Sequence, residues 1–243
     1  MGDWAIGLLK QYKAILLDWD DTVGDWSDAA WKALNDIYAR YHLDELYETV
    51  AEFFNTYEPH NLELWSKYGR NEVTKEQLHF ERFYYPLMVN GYPEFRGMDK
   101  KTLARQMGDE FLELTNKYFS LLPDAERVVK YLAAKYPLTI LSNGFKEVQY
   151  YKFAHSGLAP YFTHTIISEE VGINKPNPKL FALALEMNGV RADEALMVGD
   201  SYTSDIEGAK AAGIDQLWIC AQPQAGQTAT YIVPKLADVM AII

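Results

Sequence analysis

The chain has 243 residues and carries 34 acidic side chains against 23 of Lys and Arg, so its formal net charge is −11 with neutral histidines. This charge argues against a protein that binds nucleic-acid polymers, because such proteins gain most of their affinity from a basic surface. Hydrophobic residues make up 49% of the chain, which excludes a disordered or fibrous protein.

The first predicted element is a strand at residues 14–17, an apolar run that ends at the polar segment from Asp18 to Thr22. A short apolar run cut off by polar residues is typical of a strand that is buried on both faces of a parallel sheet. Four more runs of this kind follow later in the chain, and polar residues end the first three of them. They lie at residues 138–141, 165–167, 196–198 and 216–219.

The stretch between the first and second strands has a different pattern. It contains no buried-strand pattern, and its apolar and aromatic residues recur at helical spacing in four stripes, for example Leu103, Met107, Phe111 and Leu114. An insertion of this length is far too long for a loop. We therefore predict a helical domain at residues 23–120.

Helices are predicted between the remaining strands, at residues 124–136, 146–156, 178–188 and 203–212. Asp124 is expected to cap the first of them, and a glycine follows each of the others. Alternating strands and helices with short connections specify an α/β fold with a parallel sheet. Ligands bind such a sheet at the carboxyl ends of its strands, where the polar residues stand.

Asp18 and Asp20 follow the first strand directly. Two carboxylates that converge on one small site repel each other unless they share a cation. Mg²⁺ prefers oxygen ligands of this kind, so the pair predicts a magnesium site. The alternative is a solvated turn in which Thr22 caps the next segment.

Asp200 and Asp205 form a second acidic pair after the strand at 196–198. If this strand neighbours the first one, Asp200 and Asp18 can share a divalent ion. Gly199 permits close approach of the backbone at this point. For Asp205 the alternative is that it caps its own helix.

Lys175 stands before Pro176 in a segment that two prolines stiffen, so it can point at a fixed target, and the carboxylates are its obvious partners. Without them it would be an ordinary surface charge.

The segment Ser142-Asn143-Gly144 ends the second core strand and opens a helix. Its hydroxyl and backbone N–H groups suit a phosphoryl oxygen. A plain helix cap would have the same sequence.

Together these segments resemble the four motifs of the haloacid dehalogenase (HAD) superfamily. They occur in the same order, and each stands after a predicted buried strand: Asp18-x-Asp20-x-Thr22, Ser142, Lys175-Pro176, and Gly199-Asp200 with Asp205. The resemblance covers essentially the whole chain. It implies a Rossmann-like core of residues 1–22 and 121–243, with an inserted α-helical cap of the C1 type at residues 23–120.

The resemblance also implies a Mg²⁺-dependent reaction through an aspartyl-phosphate. Asp18 would be the nucleophile, and Asp20 would protonate the leaving oxygen and later deprotonate the attacking water. Asp18, Asp200 and the main-chain carbonyl of Asp20 would hold Mg²⁺.

The same resemblance assigns binding and supporting roles. Lys175 and Ser142, with the backbone at Asn143, would bind the phosphoryl oxygens. Asp205 would orient Lys175 or the waters of the metal, and Thr22 would support the metal ligands.

Within this superfamily, Asp20 favours hydrolysis of phosphate esters, because dehalogenases and phosphonate-cleaving members lack an acid at that position. The segments 142–145 and 167–172 resemble those of the intracellular pyrimidine 5′-nucleotidases. The expected partner is thus a small phosphate ester, a nucleoside 5′-monophosphate of the pyrimidine type. The alternatives are a phosphosugar phosphatase, a phosphosugar mutase that returns the phosphoryl group to its substrate, and a binding protein with a silent core.

The predicted insert should select the substrate. Flat aromatic and guanidinium groups stack on bases, and Trp19 is expected to face the active site or the insert. The alternative is that these residues form the core of the insert. The candidates there are Trp65 and Arg82, with Tyr68, Arg70 and Tyr85.

A cytoplasmic location is expected from two features. The chain has a single cysteine, Cys220, which excludes a fold that depends on intramolecular disulfides. No stretch approaches the ~18 consecutive apolar residues that a membrane span needs. We therefore expect no membrane partner, and the sequence favours no particular oligomeric state.

Overall fold

The structure is a computed structural model that describes residues 10–89 and 94–243. The start of the predicted core segment and residues 90–93 of the predicted insert lie outside the described residues. The chain divides into two compact units. One consists of the segment up to Gly24 together with Leu121–Ile243, and the other is Asp25–Ser120. Across the described ranges, none of the helices combines the length and the apolar character that a membrane crossing requires.

The strands of the described residues are, in chain order, β1 (Ala14–Leu17), β2 (Glu94–Phe95), β3 (Met98–Asp99), β4 (Leu138–Ser142), β5 (His164–Ile167), β6 (Ala195–Gly199), β7 (Asp215–Ile219) and β8 (Tyr231–Val233). The α-helices are α1 (Trp26–Arg40), α2 (Val50–Gly69), α3 (Lys75–Val89), α4 (Lys100–Lys117), α5 (Ala125–Ala133), α6 (Lys146–Ser156), α7 (Ser168–Val171), α8 (Pro178–Asn188) and α9 (Glu207–Ala211).

The first unit is built on a six-stranded sheet in the order β5-β4-β1-β6-β7-β8, and all neighbouring strands run parallel. The apolar residues of β1 are completely buried, as expected for a central strand covered on both faces. Leu17 pairs with Ile140 of β4 on one side and with Val198 of β6 on the other. The predicted α/β class with a parallel sheet is therefore confirmed.

After β1 the chain forms β4 and β5 on one side of this strand, and it then crosses to form β6 on the other side. At such a reversal of strand order the connections diverge and leave a crevice at the carboxyl ends of the strands. The polar residues after β1, β4 and β6 stand at this edge. The topology thus predicts that the candidate site lies at the carboxyl ends of β1, β4 and β6.

Two helix predictions need correction. Asp124 stands at the start of α5, but its backbone is left-handed, with φ 65°, and its side chain caps nothing; its carboxylate accepts from Arg127 instead, at 2.9 and 3.1 Å. The predicted helix at 203–212 is divided into a π-helical turn, Tyr202–Ile206, and the short α9. The ends of α6 and α8 follow the expectation, since Gly157 and Gly189 have φ of 71° and 63° after these helices.

The second unit consists of α1 to α4 and the two-stranded hairpin of β2 and β3. Its core is aromatic: the ring of Phe111 lies 5.5 Å from Phe83 and 6.1 Å from Tyr57. These residues stand at the helical spacing noted in the sequence. Most of the aromatic residues of this stretch therefore serve to pack the helices.

Candidate active site

The parallel sheet brings three acidic residues together. Asp18 extends β1 by one residue, and its N–H donates to the carbonyl of Val198 in β6 at 3.0 Å. Asp200 follows β6, and Asp205 stands in the π-helical turn after it. One carboxylate oxygen from each of the three lies within 4.8 Å of the others. Asp18 and Asp200 lie close together because the neighbouring strands β1 and β6 end at the same edge of the sheet.

Lys175 is the cation that faces this cluster. Its Nζ lies 2.5 Å from Oδ1 of Asp18 and 2.7 Å from Oδ1 of Asp205, and the residue is only 3% exposed. Its backbone is clamped by the side chain of Asn143, which donates to the Lys175 carbonyl at 2.9 Å and accepts from its N–H at 2.8 Å. Asn143 therefore positions the lysine, and it does not cap α6.

Burial and mutual repulsion dominate the electrostatics of the cluster. Burial raises the pKa of Asp18 to about 7, although Lys175 opposes the shift. Burial, followed by repulsion from Asp18 and Asp205, raises the pKa of Asp200 to about 8. Burial would lower the pKa of Lys175, but the two carboxylates outweigh it and hold this pKa above its usual value. One ammonium group is thus too little positive charge for two buried carboxylates, Asp18 and Asp205, and the half-buried carboxylate of Asp200.

The donor set of this cluster fits a divalent metal ion. Asp205 is committed to protein partners, because its Oδ1 accepts from Lys175 and its Oδ2 accepts from the N–H of Ser201 at 3.1 Å. Asp18 and Asp200 present the remaining carboxylate oxygens, and Thr22 donates to Asp200 at 3.2 Å. Oxygen ligands with excess negative charge suit a hard cation such as Mg²⁺.

Asp205 does not cap its own helix, which was the alternative interpretation of this residue. The cap of the π-helical turn is Ser201, whose side chain accepts from the N–H of Ser204 at 3.3 Å. Gly199 makes room for the Asp205 carboxylate, since a Cβ at this glycine would lie 2.2 Å from Oδ2 of Asp205.

We expect Gly199→Ala to destabilise the protein and to reduce any activity that depends on Lys175. The added methyl group displaces the Asp205 carboxylate, and overpacking of a buried site costs about 1–3 kcal/mol. Urea unfolding measures the loss of stability, and a phosphatase assay measures the second effect. Unchanged stability and activity would contradict this account of Gly199.

Ser142 ends β4 with its side chain in the interior. Its Oγ is buried and has no hydrogen-bond partner among the described residues. Buried hydroxyl groups nearly always have a partner, so this one has hydrogen-bonding capacity left for a ligand atom. This geometry favours the predicted contact with a phosphoryl oxygen over a plain helix cap, because the cap position of α6 is Phe145.

Asp20 has two partners that the sequence did not reveal. Nε2 of Gln149 donates to its Oδ2 at 2.7 Å, and Nζ of Lys152 lies 2.7 Å from its Oδ1. Both partners belong to α6. A single Gln or Lys in a helix is ordinarily a surface residue, so no signal in the sequence marks this pair.

The prediction that Trp19 faces the active site or the helical insert is wrong. Trp19 is completely buried in the first unit, and its ring packs edge-on against Phe153 at 4.6 Å and Phe162 at 6.1 Å. Successive side chains of an extended segment point to opposite sides, so a residue between two site aspartates points away from them.

The structure does not support a substrate contact for Arg82. This residue is 1% exposed, and its guanidinium lies 4.7 Å from the ring centre of Phe111 inside the helical unit. Trp65 is half-buried, with its ring 5.7 Å from that of Tyr68. Arg70 pairs with Glu72 on the surface, and the exposed Tyr85 stacks on His60 at 4.1 Å.

Comparison with known proteins identifies the family. A family model for haloacid dehalogenase-like hydrolases matches residues 12–213, so the chain belongs to this family. Pyrimidine 5′-nucleotidase YjjG of Escherichia coli is 31% identical over 82% of this chain and 86% of that protein. Phosphoserine phosphatase of Thermus thermophilus is 32% identical over 80% of this chain and 67% of that protein.

A solved structure agrees with this assignment. The crystal structure of the HAD-hydrolase YfnB from Bacillus subtilis, bound to magnesium, superposes with a TM-score of 0.79 at 26% identity and covers 96% of this chain and 99% of that one. The predicted resemblance to the HAD superfamily is confirmed. The protein is a hydrolase of this family, and its phosphatase and nucleotidase relatives support the predicted HAD-type phosphatase.

Proposed function

We propose that the protein is a Mg²⁺-dependent phosphomonoesterase that acts through an aspartyl-phosphate on Asp18. The observation that carries this proposal is the arrangement around Asp18, whose carboxylate contacts Lys175 at 2.5 Å and lies in one cluster with Asp200. Asp20 follows two residues later. A nucleophile, an acid and a phosphate-binding cation therefore stand at one edge of the sheet.

The first step transfers the phosphoryl group to the enzyme. A carboxylate oxygen of Asp18 attacks phosphorus, and the bond between phosphorus and the leaving oxygen breaks. The carboxyl group of Asp20 donates its proton to that oxygen, so the substrate departs as a neutral alcohol. Lys175 and the orphaned hydroxyl of Ser142 bind the phosphoryl oxygens.

The second step returns the enzyme to its starting state. Asp20, now deprotonated, takes a proton from water, and the resulting hydroxide attacks the phosphorus of the acyl phosphate. The bond from phosphorus to Asp18 breaks, and inorganic phosphate leaves. Asp20 regains the proton that it donated in the first step, so one carboxyl group serves both halves of the reaction.

The metal site completes the charge balance. Asp18, Asp200 and the main-chain carbonyl of Asp20 would hold Mg²⁺. When bound, the ion supplies positive charge that offsets repulsion between an anionic nucleophile and an anionic phosphate. Burial, together with repulsion between the carboxylates, raises the pKa values of Asp18 and Asp200, and this supports the assignment because a bound cation would offset both effects.

We infer further that the substrates are nucleoside 5′-monophosphates of the pyrimidine type. This inference is supported by the similarity to pyrimidine 5′-nucleotidase YjjG over 82% of the chain. A panel of nucleotides, sugar phosphates and phosphoserine, assayed with Mg²⁺ and with chelator, tests it. We expect Mg²⁺-dependent phosphate release, with pyrimidine nucleotides as the preferred substrates.

Two outcomes of this panel would contradict the proposal. Preference for a sugar phosphate or for phosphoserine would overturn the substrate class while leaving the reaction intact. Formation of an isomerised sugar phosphate without free phosphate would overturn the reaction, because it would show that the phosphoryl group returns to the substrate.

Binding of Mg²⁺ should raise the melting temperature. A ligand at roughly 100 times its Kd stabilises a protein by about 2.7 kcal/mol, which corresponds to about 5–10 °C for a chain of this size. We expect this shift in the wild-type protein and its loss in Asp200→Asn. Calorimetry with and without Mg²⁺ measures it, with Ca²⁺ as a competing ion. An equal shift in the variant would exclude Asp200 as a ligand.

A further inference from the structure

A contact between α6 and the loop after β1 has no role in the reaction described so far. Both carboxylate oxygens of Asp20 are held from α6, Oδ2 by the amide of Gln149 and Oδ1 by the ammonium of Lys152, each at 2.7 Å. We propose that Gln149 and Lys152 are positioning residues that aim the carboxyl group of Asp20 at the leaving oxygen. This inference rests on the proposed function, in which Asp20 is the acid and base.

The two donors occupy one face of α6. They stand three residues apart, a spacing that places side chains next to each other on a helix. Gln149 is 1% exposed and Lys152 is 2% exposed, whereas the neighbouring Lys146 is exposed. Burying an ammonium group is expensive unless a carboxylate compensates for it. The position of Lys152 therefore requires a fixed acidic partner, and Asp20 is in contact with it.

Gly144 gives independent support for the contact. A Cβ at this glycine would lie 2.3 Å from Nε2 of Gln149 and 3.0 Å from its Cγ. Real Cβ atoms do not approach other atoms so closely, so a side chain at position 144 would displace the Gln149 amide from its present path to Asp20. The turn between β4 and α6 is thus shaped for the same contact.

The hydrogen bonds fix Asp20 without preventing its chemistry. A carboxylate has about four lone-pair sites, and these two donors occupy one on each oxygen. The remaining sites can carry the proton that goes to the leaving oxygen and later accept one from water. Two donors fix the plane of the carboxyl group, and a reacting group held in its productive geometry lowers the barrier. The advantage should appear in kcat more than in KM.

A double-mutant cycle tests whether Lys152 acts through Asp20. The variants are Lys152→Met, Asp20→Asn and their combination, assayed with Mg²⁺ on the best substrate of the panel. General acid–base catalysis contributes about 10²–10⁴-fold, so we expect Lys152→Met to lower kcat by about 10–100-fold with KM changed less than about threefold. In the Asp20→Asn background the same change should have almost no effect, because the group that it positions is already lost.

Gln149→Leu should follow the same pattern with a smaller loss, since it removes a neutral donor. Lys146→Met, on the exposed side of α6, is the matched control and should keep wild-type kinetics. The Mg²⁺-induced rise in melting temperature, retained in every variant at positions 146, 149 and 152, shows that the protein folds and that the metal ligands are intact.

Chemical rescue tests whether the loss of kcat comes from the missing ammonium group at position 152 or from altered packing. Cys220 is the single cysteine of the chain, so Lys152→Cys in a Cys220→Ser background offers one thiol. Because position 152 is buried, the unfolded chain is alkylated with 2-bromoethylamine and then refolded, which restores an ammonium group at nearly the length of lysine. We expect most of the lost kcat to return on alkylation and none to return with iodoacetamide.

The possible failures are distinguishable. Additive effects of the two substitutions, or an unchanged kcat in Lys152→Met, would overturn the positioning role while leaving the proposed phosphatase intact. A wild-type protein that is inactive on the whole panel would overturn the proposed function and this inference with it.

Discussion

Asp18→Asn should release no measurable phosphate from any substrate of the panel. The amide cannot form an acyl phosphate, and removal of an enzyme nucleophile has cost about 10⁶-fold in kcat elsewhere. A second readout is covalent: borohydride reduction of the quenched wild-type enzyme during turnover should convert Asp18 to homoserine, which mass spectrometry detects in the peptide that contains it. The variant should yield no homoserine.

Asp193→Asn is the matched control for this experiment. Asp193 stands just before β6, at the opposite end of the strand that Asp200 follows, and it pairs with Arg191 on the surface. We expect wild-type turnover from it. Undiminished phosphate release by Asp18→Asn, with the fold intact, would exclude the aspartyl-phosphate.

Lys175→Met should be the most destabilising single substitution in the site. It leaves Asp18 and Asp205 buried without their shared cation, and breaking a buried ion pair by removing one partner costs about 3–5 kcal/mol. Urea unfolding at neutral pH in the presence of chelator measures the free energy of unfolding. The same variant should lose most of its phosphatase activity, because a phosphate ligand is removed as well.

Lys179→Met tests the specificity of this effect. Lys179 is exposed in the first turn of α8, four residues after Lys175, and its loss should change stability by less than about 0.5 kcal/mol. Equal stability of the two variants would mean that the carboxylates are already compensated by other groups, and the description of Lys175 as their cation would fail.

Much of the fold was accessible from the sequence because its signals are local. The strand β1 was predictable as four apolar residues cut off by Asp18, and the ends of α6 and α8 as glycines. The edge strand β8 was missed, since three residues between Thr230 and Pro234 are too few to give a distinct pattern. The division of the predicted last helix into a π-helical turn and α9 was also missed. Asp205 in this turn contacts Lys175, which lies 30 residues away and gives no local signal in the sequence.

The candidate site was predictable where residues follow strands. Asp18 and Asp200 could be brought together by reasoning about strand ends alone. Trp19 was assigned to the site, but side chains alternate along the extended segment that holds Asp18 and Asp20, and the ring of Trp19 packs against Phe153 instead. Arg82 was predicted to contact the substrate, but it lies against Phe111 in the interior of the helical unit. The sequence does not distinguish an arginine buried among aromatic rings from one on a binding surface, because both can stand at the same helical spacing.

The clamp of Asn143 on the backbone of Lys175 has a consequence for how this protein can change during evolution. Asn143 holds Lys175, Lys175 holds Asp205, and the Asp205 carboxylate fits only beside a glycine at position 199. A substitution at one of these four positions removes the contact that constrains the residue at the next one. Among related proteins these positions should therefore vary together, as a set that is inherited or lost as a whole, although they come from three separate segments of the chain.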